Sequence, residues 1–406
     1  MKVALITSGY FPVPATLGGA VEALDEYLIN QNEIHGKMDL VVFSSHSVEA
    51  KNIAEKYKKT EVVFIKPFKL IEVGDRFIYW FVKNILKKEK HMSYRYILQR
   101  LFFIECVSRK LKHNAYDKIV FENHASLFLI LKRHQNYKKY LGKYYYHLHN
   151  MVTNDYRCNG EIKNCKKVLG VSNYINSTLS TFLNEPLDDK YKILRNRVDE
   201  VRFRTEYTTE ELFKFKEQYG LPIEDKIVLF TGRLNPEKGI RELLHAFSKV
   251  EYEGAKLVIA GSYYFGSNMR SSFEHELECL AKENSDRIIF TGYISYSDIP
   301  KLYAVADLVV IPSMWDDPAP LTVIETLTAG RPLITTYSGG IPEYANEQCA
   351  IILERDEKII DNLKVSIDRL LEDASLRKEL SNSAKKTTEN WTLESFYKDF
   401  VSVLDS

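Results

Sequence analysis

DKIVLFTGRLNPEKGIRELLHAFSKV, residues 225–250, reads as a strand, a glycine-bordered loop and a helix. The apolar run ends at Thr231. Gly232 then opens a loop that carries Arg233 and Lys238. Downstream, the short apolar runs AKLVIAGS, RIIFTGY, DLVVIPS, RPLITT and AIILER continue the pattern, with helical stretches between several of them. Upstream, KVALITS, DLVVFSS, EVVFIKP, YDKIVFENH, KYYYHLHN and KKVLGVSN form an earlier series of the same kind. Strands alternating with helices predict an α/β fold with parallel sheets covered by helices on both faces. The polar stretch at 199–225 has no strand pattern and ends in a Leu-Pro break. It predicts a boundary near residue 200 and two Rossmann-like domains, 1–200 and 201–390. WTLESFYKDFVSVL supplies a final helix within 391–406, with Trp391, Phe396 and Phe400 as anchors.

A chain of 406 residues has room for two domains. No apolar run approaches the roughly 18 residues of a membrane span, and MKVALITSGYFP lacks the layout of a signal peptide. These features predict a cytoplasmic protein. The five cysteines form no C-x2-C pair. They fit idle thiols in a reducing cytosol, with a regulatory disulfide between Cys158 and Cys165 as the alternative.

The net charge of +1 conceals an asymmetry. Residues 1–195 carry +12 and the remainder carries −11. Residues 76–112 hold ten basic and two acidic side chains among aromatics that include Phe77, Trp80, Phe81, Tyr94 and Phe102. Such interleaving fits an interfacial helix on an anionic membrane, and equally an amphipathic helix pair with a solvated basic face. No nucleic-acid motif accompanies it.

Three places carry chemistry. Gly18 and Gly19 follow the first strand and precede a helix, where a backbone can approach an anion closely. They do not form a G-x-G-x-x-G fingerprint, and DLVVFSS does not end in an acid, which disfavours a dehydrogenase. No G-x4-G-K-[ST] stretch exists, which excludes a P-loop kinase. Arg233 and Lys238 suit a diphosphate, the first as a planar fork and the second as a point charge. Taken alone, the fragment fits a basic surface turn as well. In WDDPAPLTVIETLTAGRPLITTYSGGIPE, residues 315–343, Asp317 precedes a turn and Glu325 lies within a helix beginning near Leu321. Backbone amides of Leu321 and Thr322 would then be free for phosphate oxygens. An N-capping Asp and a solvated Glu would give the same fragment.

Together with GGAVE, YYYHLHN, GVSNYI, NRVDEVRF, LVIAGS, IIFTGY and LYAVADLVVIPS, these pieces resemble glycosyltransferase family 4 over nearly the whole chain. The resemblance implies the GT-B fold: two Rossmann-like domains facing a central cleft, with the C-terminal helix crossing back to the N-domain. It implies an acceptor-binding domain at 1–200, completed by 391–406, and a donor-binding domain at 201–390. Arg233 and Lys238 resemble the pair that holds the donor diphosphate, with Gly232 beside them. Glu325 resembles the acid that binds the donor ribose, and Leu321 and Thr322 the amides at the phosphates. Asp317 stands where the family usually has Glu, a methylene longer, and would contact donor-sugar hydroxyls. Gly19 resembles the loop glycine at the diphosphate. His149 resembles the active-site histidine and is preferred to His147, two residues earlier on the same strand face. Glu122, Asn123, His124 and Asn173 are acceptor or cleft candidates.

The family implies a retaining hexosyl transfer from a nucleotide-sugar, UDP by default, to a saccharide. Arg233, Lys238 and the helix start would stabilise the leaving diphosphate, with no cofactor and no metal. The basic half suggests an acceptor linked to polyprenyl diphosphate. It also suggests a peripheral place on the inner face of the membrane, in capsule, exopolysaccharide or O-antigen synthesis. The competing readings are a transferase of the same family with a soluble acceptor, a phosphorylase or epimerase of the same fold, and an inactive nucleotide-sugar-binding module.

Overall fold

The structure, a computed structural model, describes residues 1–86, 95–261, 272–282 and 286–406. It divides into two compact units. Unit 1 is Met1–Leu194 with Tyr397–Ser406, and unit 2 is Arg195–Phe396.

Unit 1 holds a seven-stranded sheet in the order β3-β2-β1-β4-β5-β6-β7. Its strands are β1 (Lys2–Ile6), β2 (Asp39–Ser45), β3 (Thr60–Ile65), β4 (Lys118–Glu122), β5 (Tyr144–Leu148), β6 (Lys167–Gly170) and β7 (Tyr191–Ile193). Every pairing is parallel. The order reverses between β1 and β4, and loops beyond the carboxyl ends of strands at such a reversal are where open α/β sheets bind ligands. Val3–Ile6, Val120, Phe121 and Tyr144–Tyr146 are wholly buried, as strands covered on both faces require.

Three helices of unit 1 matter below: α1 (Ala20–His35), α2 (Lys69–Asn84) and α3 (Ile97–His113). The basic stretch at 76–112 splits between the last two. Lys87, Lys88, Lys90 and Tyr94 fall outside the described residues. The helix α2 turns Leu70, Val73, Phe77, Trp80 and Phe81 outward and buries only Asp75 and Val82. Asp75 accepts the Leu98 and Gln99 amides (2.8 and 3.0 Å) and so closes the open N-terminus of α3. By contrast α3 is an inner helix. It buries Arg100, Phe103, Ile104, Val107 and Leu111. Its Glu105 takes Arg109, Arg133 and His134 at 2.6, 2.6 and 3.0 Å. Among the described residues of 76–112, the outward apolar side chains lie mainly on α2, while α3 exposes Leu101 and buries most of its other apolar side chains.

Unit 2 holds a six-stranded parallel sheet in the order β10-β9-β8-β11-β12-β13. Its strands are β8 (Lys226–Thr231), β9 (Ala255–Ala260), β10 (Ile288–Gly292), β11 (Leu308–Ile311), β12 (Leu333–Thr336) and β13 (Ala350–Leu353). Its helices include α4 (Ile240–Phe247) and α5 (Leu321–Thr328). Residues 195–200 already belong to this unit. The Asn196 amide donates to Tyr344 Oη (3.0 Å), and Arg197 lies 4.9 Å over the Trp391 ring.

The last helix, α6 (Leu393–Asp405), joins unit 1 from Tyr397 onward. Tyr397 Oη donates to Asn32 Oδ1 on α1 (2.7 Å), and its ring stacks on His35 at 5.6 Å. Phe400 and Leu404 are buried in that unit. Trp391 lies ahead of the helix and packs on Tyr344 at 5.9 Å, so it anchors unit 2 and not the helix. All five cysteines are free thiols, and burial pushes those of Cys158 and Cys165 up.

Candidate active site

In unit 2, β8 ends at Thr231 and the chain leaves the sheet through Gly232 at φ 147°. A short 3-10 turn, Pro236–Lys238, leads through Gly239 into α4. Gly239 has φ 69°, and a Cβ there would lie 1.8 Å from Pro312 O, so only glycine lets this loop close on the neighbouring strand end. The loop leaves Arg233 exposed and Lys238 partly buried. Lys238 Nζ is paired with Asp317 Oδ2, and the two side chains are 21% and 12% exposed.

The Asp317 turn is held from behind. Gly340 N donates to Asp317 O (2.8 Å), while Gly339 N and Arg355 Nη2 donate to Asp316 Oδ1 (3.3 and 2.5 Å). A Cβ on Gly339 would fall 2.4 Å from Asp317 O. Gly339 of YSGGIPE thus allows the close approach, and the Gly340 amide makes the backbone contact that fixes the acid.

The helix α5 begins at Leu321, as the sequence predicts. The Val323 and Ile324 amides turn back to Pro320 O (3.1 and 3.4 Å), so those of Leu321 and Thr322 head the helix without an intrahelical acceptor. Glu325 is 5% exposed. Tyr303 Oη donates to its Oε2 (3.0 Å) and Tyr296 Oη to its Oε1 (3.5 Å). Burial raises its carboxyl to about 7, against the opposing pull of both tyrosines and of Arg202. Arg202 donates to Tyr296 O (2.8 Å) and lies over that ring. Sequence reasoning missed Tyr296, Tyr303 and Arg202. They lie 29, 22 and 123 positions before Glu325, and no local pattern marks them.

In unit 1, Gly19 stands at the head of α1 with φ 107°. A Cβ there would meet Glu22 Oε2 at 2.2 Å. Glu22 folds back over the glycine and accepts Ser8 Oγ (2.8 Å). At the far ends of β4 and β5, Glu122, His147 and His149 form a buried cluster. His147 Nδ1 and His149 Nε2 lie 3.0 and 3.3 Å from Glu122 Oε2, and 3.3 Å from each other. Burial drives His149 down to about 4, so its imidazole is neutral at ordinary pH. Burial alone would raise Glu122, but the histidines outweigh it and hold the carboxylate ionised. On α1, Asp25 is buried with neither carboxylate oxygen bonded, and burial raises it well above the usual range.

This geometry corrects one expectation. Glu122 has no exposed surface, so it holds the histidines and does not reach an acceptor. Asn123, in the left-handed region at φ 61°, accepts the His149 and Asn150 amides on Oδ1 (3.2 and 3.0 Å) and fixes the loop that carries His149. The His124 ring meets Tyr10 at 5.1 Å. Asn173 is exposed at the start of the helix Asn173–Leu183, which Ser172 caps. Among the described residues, Glu122, His147 and His149 also form the one group whose ligand atoms could hold a metal, all lying within 4.8 Å.

Two α/β units of these topologies, with the C-terminal helix returned to the first, make up the GT-B fold. Residues 213–387 match the family described as Glycosyl transferases group 1, and the chain, which has the GT-B fold, is similar to glycosyltransferases of that fold. Among its relatives, the putative glycosyltransferase YtcC of Bacillus subtilis (strain 168) is 28% identical over 402 residues, 96% of this chain and 88% of that protein. Spore coat protein SA of the same organism is 26% identical over 401 residues, 96% of this chain and 95% of that one. The crystal structure of Anabaena Alr3699/HepE in complex with UDP matches with a TM-score of 0.72 at 17% identity, covering 100% of both chains.

Proposed function

We propose that this chain is a retaining hexosyltransferase. It moves a sugar from a nucleotide-sugar, UDP-linked by preference, onto a lipid-linked saccharide of a bacterial envelope polysaccharide. The observation that carries this reading is the pairing of Lys238 with Asp317 beside an exposed Arg233 and the open amides of Leu321 and Thr322. The two cations and the helix start supply positive potential for a diphosphate. The acid beside Lys238 is the group for the sugar hydroxyls, and Glu325 for the ribose. The UDP bound by the Anabaena protein supports the choice of nucleotide.

In this reaction the departing diphosphate takes the acceptor proton, and Arg233, Lys238 and the head of α5 stabilise the charge that develops on it. His149 is neutral, so it can donate or accept a hydrogen bond to a substrate without gaining charge. The residues of unit 1 serve the acceptor and those of unit 2 the donor. No resident metal takes part.

The outward stripe of α2 supports a peripheral place on an anionic leaflet. Phe77 and Trp80 are 63% and 51% exposed, and Lys69, Arg76 and Lys83 lie on the same helix. A soluble-acceptor transferase would leave that stripe without a role. A panel of UDP- and GDP-sugars, read by thermal shift and by sugar release, tests the reading. A UDP-sugar should stabilise the protein and be hydrolysed slowly. A chain indifferent to every nucleotide-sugar would overturn it.

A further inference from the structure

The loops that follow β4 and β5 enclose a cavity of about 140 Å³ in unit 1. It lies at the carboxyl ends of the two strands, beside the reversal of strand order. Its polar lining is Asn123, His124, Asn150, Thr153, Asn154 and Tyr156, and no Asp, Glu, Lys or Arg takes part. Burial, helped by the charge of Arg100, drives His124 down to about 4, so its imidazole is neutral at ordinary pH. The lining therefore carries no charge.

Much of its hydrogen-bonding capacity is open. Asn123 Oδ1 accepts the His149 and Asn150 amides (3.2 and 3.0 Å), and Asn154 Oδ1 accepts the Tyr156 amide (2.8 Å). Each asparagine keeps its Nδ2 as a donor. Among the described residues, the side chains of His124, Asn150, Thr153 and Tyr156 make no hydrogen bond. Asn150, Thr153, Asn154 and Tyr156 are exposed, so a ligand can reach them. The loop is also set in advance. Tyr156 and Arg157 sit at φ 51° and 61°, a conformation that side-chain-bearing residues seldom hold. Asp155 Oδ1 accepts the Arg157 amide (2.9 Å), and the Cys158 amide donates to Asp155 O (2.8 Å).

We propose that this cavity is an acceptor subsite that takes an uncharged pyranose as the sugar to be extended. The inference rests on the transferase reading and narrows its acceptor: the receiving sugar carries hydroxyl or acetamido groups, and neither a carboxylate nor a phosphate. The lining offers both donors and acceptors, as sugar hydroxyls do, and the Tyr156 ring suits the apolar face of a pyranose. A carboxylate or phosphate would meet no cation in the lining, and burying an unpaired charge is costly. At roughly 30 Å³ per water the space has room for about five waters, so it grips part of one ring and leaves the rest of a saccharide outside. Because Asn123 also holds the His149 amide, the ring is bound beside that loop.

The test uses the full chain saturated with UDP and measures sugar binding by saturation-transfer NMR. The probes are the methyl glycosides of glucose, galactose, mannose and N-acetylglucosamine, set against methyl glucuronide and glucose 6-phosphate. At least one uncharged glycoside should bind, and both charged sugars should bind about tenfold or more weakly. Asn150→Ala, Thr153→Val and Tyr156→Phe alter exposed side chains. Each should weaken the glycoside by about threefold, and the triple variant by about tenfold or more, with UDP affinity unmoved. The subsite is overturned if no uncharged glycoside binds, if the charged sugars bind as tightly, or if the triple variant binds like wild type. Glycoside binding that is lost in Asp317→Asn and kept in the triple variant overturns it too, because the sugar then sits in unit 2. Failure of wild type to bind UDP would overturn the transferase reading instead, and the glycoside titration stands without it.

Discussion

Lys238 and Asp317, 79 positions apart, form an ion pair in which each side chain is largely buried. The cation assigned to the diphosphate and the acid assigned to the sugar thus hold each other in place. Lys238→Ala should lower kcat by about two to three orders of magnitude, the usual cost of losing one stabilising group at a developing charge. Asp317→Asn keeps the shape and removes the charge. It should raise KM for the donor sugar more than it changes UDP affinity. Steady-state kinetics beside UDP calorimetry separates the two effects.

The raised carboxyl of Glu325 gives a second prediction. Its folded value, about 7, lies above the usual 4.5, so the folded state holds a proton that the unfolded state has lost. The contribution of this group to stability is therefore full below about 4.5 and declines as pH rises through about 7, by up to about 3 kcal/mol. Glu325→Gln should be as stable as wild type near pH 4.5 and more stable at pH 8 in urea unfolding. Hydroxyl recognition wants the ionised form, so UDP affinity in wild type should rise between pH 6 and 8. A pH-independent affinity would contradict the ribose role.

His149 titrates near 4, so its loss of charge lies below the working range. The rate should show no histidine limb between pH 6 and 8. Glu122→Gln should lower kcat by about tenfold or more while leaving UDP affinity alone, because the ring loses the partner that orients it. At saturating donor, where the Glu325 effect on affinity drops out, a kcat that rises through pH 6.5 in wild type would show a titrating base in its place.

Glu122, His147 and His149 have the spacing of a cation site, but hydrogen bonding among them accounts for the same distances. Dialysis against EDTA should leave turnover unchanged, and elemental analysis should find no stoichiometric zinc. Loss of activity that zinc restores would contradict the metal-free mechanism.

Sedimentation with phosphatidylglycerol vesicles tests the stripe on α2. Binding at low salt should fall with added salt and with Trp80→Ser, Phe77→Ser or Lys83→Ser. Binding indifferent to all three would remove the membrane from the account.

The strands and their alternation were legible because strands buried on both faces must be continuous apolar runs, as in KIVLFT and YYYHL. β7 escaped notice because Tyr191–Ile193 has three residues with a lysine at its centre, too short for any period. The site residues on strand ends and helix starts were legible for a similar reason: local geometry fixes where Arg233, Lys238 and Leu321 stand. What each side chain touches was not legible. Glu122 looks like any polar residue after a strand, and only the pairing of β4 with β5 turns it onto two histidines. Arg100 reads as one of ten basic residues in a surface-like stretch, and only the packing of α3 against the 3-10 turn Ala125–Phe128 buries it.

We propose above that the β8 loop and the start of α5 hold a nucleotide diphosphate. It is tested most directly by measuring UDP-sugar hydrolysis in wild type, Lys238→Ala and Glu325→Ala, with folding checked by circular dichroism. Wild type should show slow, UDP-releasing hydrolysis, and both folded variants should lose it. Near-normal release from both variants would contradict it.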